Sequence, residues 1–233
     1  MSSMFELLME LPLFQGVSHD SMARIVGNAK FHFLKFPAGE TIIRAGEPCR
    51  HITFVISGSV RSTVVNNSGS FAVSQLLRAP AVLAPDFLFG RVTAHPATVV
   101  AEEPTSILQI SKADYISILY ADTVFMFNYL NLLSVNAQKA QVGILSLTTG
   151  DVDERIAFWI TALTQKGGED IRLTCRSREL CSLFNTPRSL FVAALEGMKR
   201  RGLLDFSNTE LRIRDRDAML ALLNSSSEPS EGA

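Results

Sequence analysis

Arg188, Ser189, Val192 and Ala193 fall within one six-residue stretch that opens a short expected helix. They put a guanidinium, a hydroxyl and two small apolar groups on a short helix of the kind that can be presented to the DNA major groove. Around them stand groups that can meet phosphate oxygens without reading sequence: Arg176, Ser177, Thr186, Lys199 and Arg200.

For those groups to act together, two helices must hold them. In the first, Leu180 and Leu183 supply the apolar pair and Phe184 closes the end. Asn185 occupies the tight turn, where a left-handed backbone is needed and Asn tolerates it better than most residues. The second helix is expected to start with Thr186 as N-cap and Pro187 at the first helical position. Phe191, Ala194, Leu195 and Met198 fit the i, i+3, i+4, i+7 pattern of one buried face. Lys199-Arg200-Arg201 leads into Gly202, a natural helix stop.

An ordinary helical hairpin with a basic end gives the same pattern. The residues after Gly202 favour a winged helix-turn-helix. Leu203 to Phe206, a turn at Ser207 to Thr209, and Leu211 to Arg214 form a short β-hairpin in which Arg212 and Arg214 share one face. Charge agrees. The formal net charge is −1, but residues 171–216 carry ten Arg or Lys against five Asp or Glu, giving +5. The rest of the chain has 12 basic and 18 acidic residues, giving −6. A basic segment on an acidic body fits phosphate contacts confined to one region.

The amino-terminal half has a different period. Phe5 to Ala29 reads as short amphipathic helices broken near Gln15 to Ser18. Then come β-type runs, Phe31–Phe36, Thr41–Arg44, His51–Ile56, Val60–Val65, Phe71–Leu77, Ala97–Glu102 and Ser106–Ile110, divided by glycine turns. Regularly spaced short strands of this kind predict an antiparallel barrel or jelly roll. After Ser111 the period becomes helical. Met126, Leu130, Leu133, Ala137, Ala140, Ile144 and Leu147 alternate spacings of four and three, a seam for a second copy of the chain. A helix packed only on its own barrel is the competing reading. The stripe Phe125, Tyr129 and Leu132 is already available for that barrel. Asp151 to Glu154 resembles a capping box for a further helix, with Ile156, Trp159, Ile160 and Leu163 on one face.

Metal and catalytic chemistry find little support. Cys49, Cys175 and Cys181 have no metal-ligand spacing and no disulfide pattern. His19, His32, His51 and His95 are scattered, whereas a cupin-type metal site needs two or three His with a carboxylate close together. No resident cofactor is expected. The first residues lack a basic stretch before an apolar run, so no secretory signal is expected. The uncharged stretch 123–138 is too short to span a bilayer comfortably. A cytoplasmic, reduced protein with no membrane partner is the expectation. Asn224 to Ala233, rich in Ser, Glu, Pro and Gly, reads as a disordered tail.

A glycine-turn jelly roll, a long helix and a winged helix, in that order, resemble the Crp/Fnr superfamily of transcription regulators, whose founding type is the cyclic-AMP receptor. Pro37 to Glu47, Phe54 to Arg61 and the helix-turn-helix carry the resemblance. It implies an α+β fold with a cyclic-nucleotide-binding-like jelly roll at 1–112 and a dimerisation helix region at 113–149. A winged helix-turn-helix at 150–223 and a tail at 224–233 complete it. It further implies a homodimer that binds double-stranded DNA, works with RNA polymerase and is modulated by a small effector. A constitutive DNA-binding dimer with a ligand-free barrel is the alternative, and a cupin-like enzyme the weakest reading.

Departures from the family pattern matter as much. Family recognition helices read bases through an Arg-Glu pair and a later Arg, which by position become Arg188, Ser189 and Ala193. No cysteine precedes Cys49, so the cysteine cluster that holds an iron–sulfur centre in fumarate-nitrate-type members is missing. In members that bind cyclic AMP, a Gly-Glu pair holds the ribose and an Arg-Ser pair the phosphate. Here Pro85 falls where the glutamate should be, and His95-Pro96 replaces the Arg-Ser pair. Proline has no carboxylate and no N–H, and the guanidinium fork is lost. A less charged ligand is expected, with Pro85, Asp86, Phe87, Arg91, His95 and Thr98 as candidate contacts beside Leu88 and Phe89.

Overall fold

A computed structural model of the chain describes residues 4–145, 147 and 150–219. The expected tail at 224–233 lies outside them. Contacts divide the chain into two units, one of residues 1–62 with 77–136, the other of residues 63–76 with 137–233.

In the first unit, helices α1 (Met4–Glu10) and α2 (His19–Asn28) precede the strands. Ser18 caps α2, its hydroxyl accepting from the Ser21 amide at 3.2 Å. Strands β1 (Phe31–Phe36), β2 (Thr41–Ile43), β3 (His51–Ser57), β4 (Ser59–Val65), β5 (Ala72–Arg78), β6 (Ala81–Leu83), β7 (Thr98–Ala101) and β8 (Thr105–Ser111) match the expected runs, except β6. Three apolar residues carry no period-two signal, and β6 forms only because β3 offers an edge at Thr53 to Val55.

One antiparallel sheet has the order β1-β8-β3-β6; in the other, β2, β7, β4 and β5 are successive neighbours. Along β3, Ile52 and Phe54 enter an aromatic core with Phe14, Tyr115 and Phe125. Val55 points the other way, into the barrel interior with Ile43, Val60, Leu77, Leu83 and Val99. Covered on both faces, the strand reads as a near-continuous apolar run. The β3–β4 turn requires glycine. Gly58 has φ +80°, and a Cβ there would lie 2.6 Å from the Pro104 carbonyl oxygen.

The helical region after Ser111 resolves into α3 (Lys112–Ala121) and α4 (Thr123–Leu145), bent by 116° at the break. The Asp122 carboxylate makes that break by accepting from the Phe125 amide at 2.8 Å, which caps α4. Phe125 and Tyr129 are buried in the aromatic core with Leu132 at its margin, as the second stripe requires. Of the expected seam, Leu130 is 46 % and Ile144 69 % exposed, and Ala137 and Ala140 are exposed. Met126 is half-buried. Leu133 and Leu147 are half-buried, and both lean on cores of their own chain, in the first and second unit respectively. Among the described residues no single helix is long and apolar enough to cross a membrane.

The second unit contains α5 (Val152–Leu163), β9 (Glu169–Thr174), α6 (Ser177–Leu183), α7 (Arg188–Arg200), β10 (Leu204–Phe206) and β11 (Glu210–Asp215). Ile156, Trp159, Ile160, Leu173, Phe184 and Phe191 form its core, while Leu163, expected on the same face, is exposed. Residues 72–76 of β5 pair antiparallel with β9, and Val73 joins this core. The capping box does not form. Asp151 is the N-cap of α5 but makes no side-chain cap bond, and Asp153 instead pairs with Arg201 at 2.8 Å.

Candidate nucleic-acid interface

The two helices of the motif are α6 and α7. Asn185 adopts φ +44° between them, the left-handed conformation its side chain tolerates. Its neighbour departs from expectation. Pro187, not Thr186, is the N-cap of α7, with extended ψ of 139° and no side-chain capping bond. The Thr186 hydroxyl is engaged elsewhere, donating to the Phe184 carbonyl at 2.9 Å. Its amide donates to the Cys181 carbonyl at 3.0 Å, so Thr186 tightens the turn instead of starting the helix.

Leu180 and Phe184 are buried, and Phe184 stacks on Phe191 with ring centroids 5.9 Å apart. Leu183, expected as the partner of Leu180, is 44 % exposed. At three residues from Leu180 it lies past the edge of a face that Phe184 already closes. Phe191, Leu195 and Met198 are buried along α7, with Ala194 beside them. The chain leaves the helix through Gly202 at φ +75°, and the Leu203 amide returns to the Met198 carbonyl at 3.1 Å.

Arg188, Ser189 and Ala193 are exposed on α7, and Val192 is half-buried. Leu190 and Glu196 are also exposed there, and sequence patterning did not single them out. Their signal was their place outside the buried i, i+4, i+7 set. Arg176 and Arg200 are exposed at opposite ends of the motif. Ser177 is half-buried, its hydroxyl donating to the Asn208 carbonyl at 3.1 Å, which ties α6 to the wing turn. Lys199 pairs with Asp205 at 3.3 Å and lies 5.9 Å over the Phe206 ring.

In the wing, β10 pairs with β11 and β11 with β9. Ser207 shapes its tip by accepting from the amides of Thr209 and Glu210 at 3.2 and 3.1 Å. Leu211 and Ile213 are buried, and Arg212 and Arg214 point outward. Both arginines have acidic partners, Asp170 at 2.8 Å and Asp205 at 3.7 Å. One residue of this unit went unnoticed in the sequence. Arg155 of α5 is buried, and its guanidinium donates to the carbonyls of Leu147 and Phe184.

The effector candidates lie in the first unit. Pro85 to Phe87 form a 3-10 turn entered through Ala84 at φ +43°. Tyr129 donates its hydroxyl to the Pro85 carbonyl at 3.0 Å, and the Asn136 amide donates to the Asp86 carboxylate at 2.9 Å. Leu88 is fully buried, and Phe89 packs 6.0 Å from the Tyr129 ring with the Lys112 ammonium 4.9 Å over its face. Burial, then the nearby Asp86 and Cys49, pushes the Tyr129 phenol up to about 12. Arg91 is exposed. His95 is buried, and its backbone pairs with Glu47 and Gly46. Desolvation lowers its imidazole below the usual range against the opposing pull of Glu47. The Thr98 hydroxyl accepts from the Ala45 amide at 3.2 Å. Among the described residues, Asp86, Arg91, His95 and Thr98 share no hydrogen bond with one another.

Comparison with known proteins bears on both units. Residues 33–122 match the family described as the cyclic nucleotide-binding domain. The cyclic AMP receptor protein of Thermus thermophilus is 23 % identical over 209 residues, 88 % of this chain and 93 % of the relative. The cAMP-activated global transcriptional regulator CRP of Haemophilus influenzae is 26 % identical over 150 residues, 61 % of this chain and 67 % of its own. The crystal structure of the Thermus thermophilus catabolite activator protein shares the fold with a TM-score of 0.51 at 20 % identity, covering 92 % of this chain and 99 % of that one. A matched sensor-domain family, relatives aligned along most of the chain and a common fold agree in making the chain similar to Crp/Fnr-type regulators.

Proposed function

We propose that this chain is a homodimeric, sequence-specific DNA-binding transcription regulator whose effector is a small ligand other than cyclic AMP. The observation that carries the reading is the presentation of α7. Phe191, Leu195 and Met198 anchor one side, Ser189, Ala193 and Arg200 are exposed on the other, and Arg188 is exposed in the first turn. That is the arrangement a major-groove reading helix needs, with Arg188 as the guanine contact. Leu130, Ala137, Ala140 and Ile144, exposed on α4 with Phe127, form an apolar strip that a second copy covers. The dimer then places two α7 helices about 34 Å apart on one face of a duplex. Contact with RNA polymerase and residence in the cytoplasm accompany this role.

The relatives' names speak of cyclic AMP, but the equivalent segment here is poorly equipped for it. Pro85 lacks a carboxylate, and the Asp86 carboxylate is engaged by Asn136. Arg91 is the one guanidinium of the segment 84–97, and it is exposed. A second reading, a constitutive DNA-binding dimer, draws support from one observation: Tyr129 and Asn136 fasten the 3-10 turn to α4 by hydrogen bonds to the Pro85 carbonyl and the Asp86 carboxylate.

Selection of bound sequences from random duplex DNA tests the main reading, with an inverted repeat expected. Calorimetry with cyclic AMP and cyclic GMP tests the effector. A micromolar dissociation constant for either, abolished by changing Arg91 or His95, overturns the exclusion of cyclic nucleotides.

A further inference from the structure

We propose that Arg155 is a positioning residue that fixes the bearing of the recognition helix on the end of α4, and thereby sets the half-site spacing a dimer accepts. The inference rests on the DNA-binding reading of α7.

Arg155 is a cation only 9 % exposed, an expensive placement unless its donors are paired. It is paired at both ends of a connection. Its guanidinium donates to the Leu147 carbonyl, two residues beyond α4, and to the carbonyl of Phe184, the C-cap of α6. A third bond of 3.4 Å reaches the Thr186 hydroxyl, immediately before the N-cap of α7, and the guanidinium lies 5.6 Å over the Phe184 ring. Carbonyls at helix ends carry partial negative charge and lack intrahelical partners, so a planar donor set suits them.

Two further contacts make α5, which carries Arg155, a rigid link. Gly143 in α4 meets α5 so closely that a Cβ on it would lie 2.3 Å from the Ala162 Cβ. Only glycine permits that approach of two helix backbones. At the other end, Asp153 of α5 holds Arg201, the C-cap of α7, at 2.8 Å. Among the described residues, these contacts therefore tie the last turns of α4, the helix α5 and both ends of α7 together. In a dimer held through α4, the two recognition helices cannot swing independently to suit a different site. Each base pair added between half-sites moves them by about 3.4 Å, more than a side-chain adjustment absorbs.

The test measures binding of the full-length dimer to its selected operator and to versions with the spacer altered by one or two base pairs. The wild type is expected to lose roughly tenfold or more on a one-base-pair change. Arg155→Met keeps the stem and removes the donors. It should bind the best operator more weakly, yet discriminate spacers by no more than about threefold, with non-specific affinity and salt slope unchanged. Arg155→Lys should restore part of the discrimination. Gly143→Ala, which leaves Arg155 intact, should relax spacing in the same way and covers the case in which Arg155→Met fails to fold. Wild-type spacing selectivity in a folded Arg155→Met protein, or in Gly143→Ala, overturns the proposal while leaving the DNA-binding reading in place. A wild-type protein that selects no sequence from random DNA overturns both.

Discussion

Arg172 on β9 and Arg212 on β11 stand directly opposite each other in the wing sheet. Like charges in that position destabilise a strand pair. Asp170 resolves the conflict, its carboxylate accepting from Arg172 at 2.6 Å and from Arg212 at 2.8 Å. To do so it holds φ +40°, a conformation rare outside glycine and tolerated best by Asp and Asn.

Burial pushes the Asp170 carboxyl upward, but hydrogen bonds and charge from Arg172 and Arg212 outweigh it and hold it below the usual range. A depressed carboxylate stabilises the fold above its unfolded value, about pH 3.9, and loses that contribution as pH falls through the lower folded value. Asp170→Asn is expected to cost about 1 kcal/mol at pH 7, since both arginines are half exposed. Denaturation midpoints of the two proteins should converge as pH drops below about 4. A difference independent of pH contradicts this role for Asp170.

Arg188→Ala is expected to lose roughly 1–3 kcal/mol of specific binding and to relax base choice at one position in each half-site. Arg200→Ala should weaken binding to every sequence and reduce the salt slope by about one. Lys199→Ala should do the same less strongly, because Lys199 is already paired with Asp205. Salt titrations against specific and scrambled duplexes separate these outcomes. An unchanged sequence preference in Arg188→Ala means that α7 does not read the groove through this side chain.

Leu130→Glu combined with Ile144→Glu should dissociate the dimer with little effect on protomer stability, because both side chains are exposed. Leu133→Glu should instead destabilise the first unit, whose core it touches. Sedimentation at micromolar concentration, read beside thermal unfolding, distinguishes the two effects. A wild-type monomer under those conditions removes α4 as an interface.

Cys175 is buried, and burial together with the Glu179 carboxylate pushes its thiol up to about 11. At pH 8 only about one molecule in a thousand carries the thiolate that reacts. Cys181 is half-buried and should be alkylated well before Cys175 in the native protein. Mass spectrometry of timed iodoacetamide reactions reads the order, and equal rates contradict the packing around Cys175.

The sequence by itself determined the order of elements, because each carries its signal within a few residues. Period-two runs with glycine turns marked most of the strands, and the buried set Phe191, Leu195 and Met198 marked α7. Asn185 marked the turn through a local backbone preference. The missing carboxylate and guanidinium around Pro85 were legible only through the resemblance to the Crp/Fnr superfamily, which says where they would stand.

Tertiary structure decided what depends on partners distant in the chain. Strand β6 exists only because β3 offers an edge, and Leu133 and Leu147 turn inward only because particular cores stand beside them. Thr186 reads as an N-cap until the Phe184 carbonyl claims its hydroxyl. Arg155 looks like one charge on an amphipathic helix until folding places Leu147 and Phe184 within its reach. Hydrophobic period and turn chemistry are local properties that a sequence displays, whereas hydrogen-bond partners are chosen by packing.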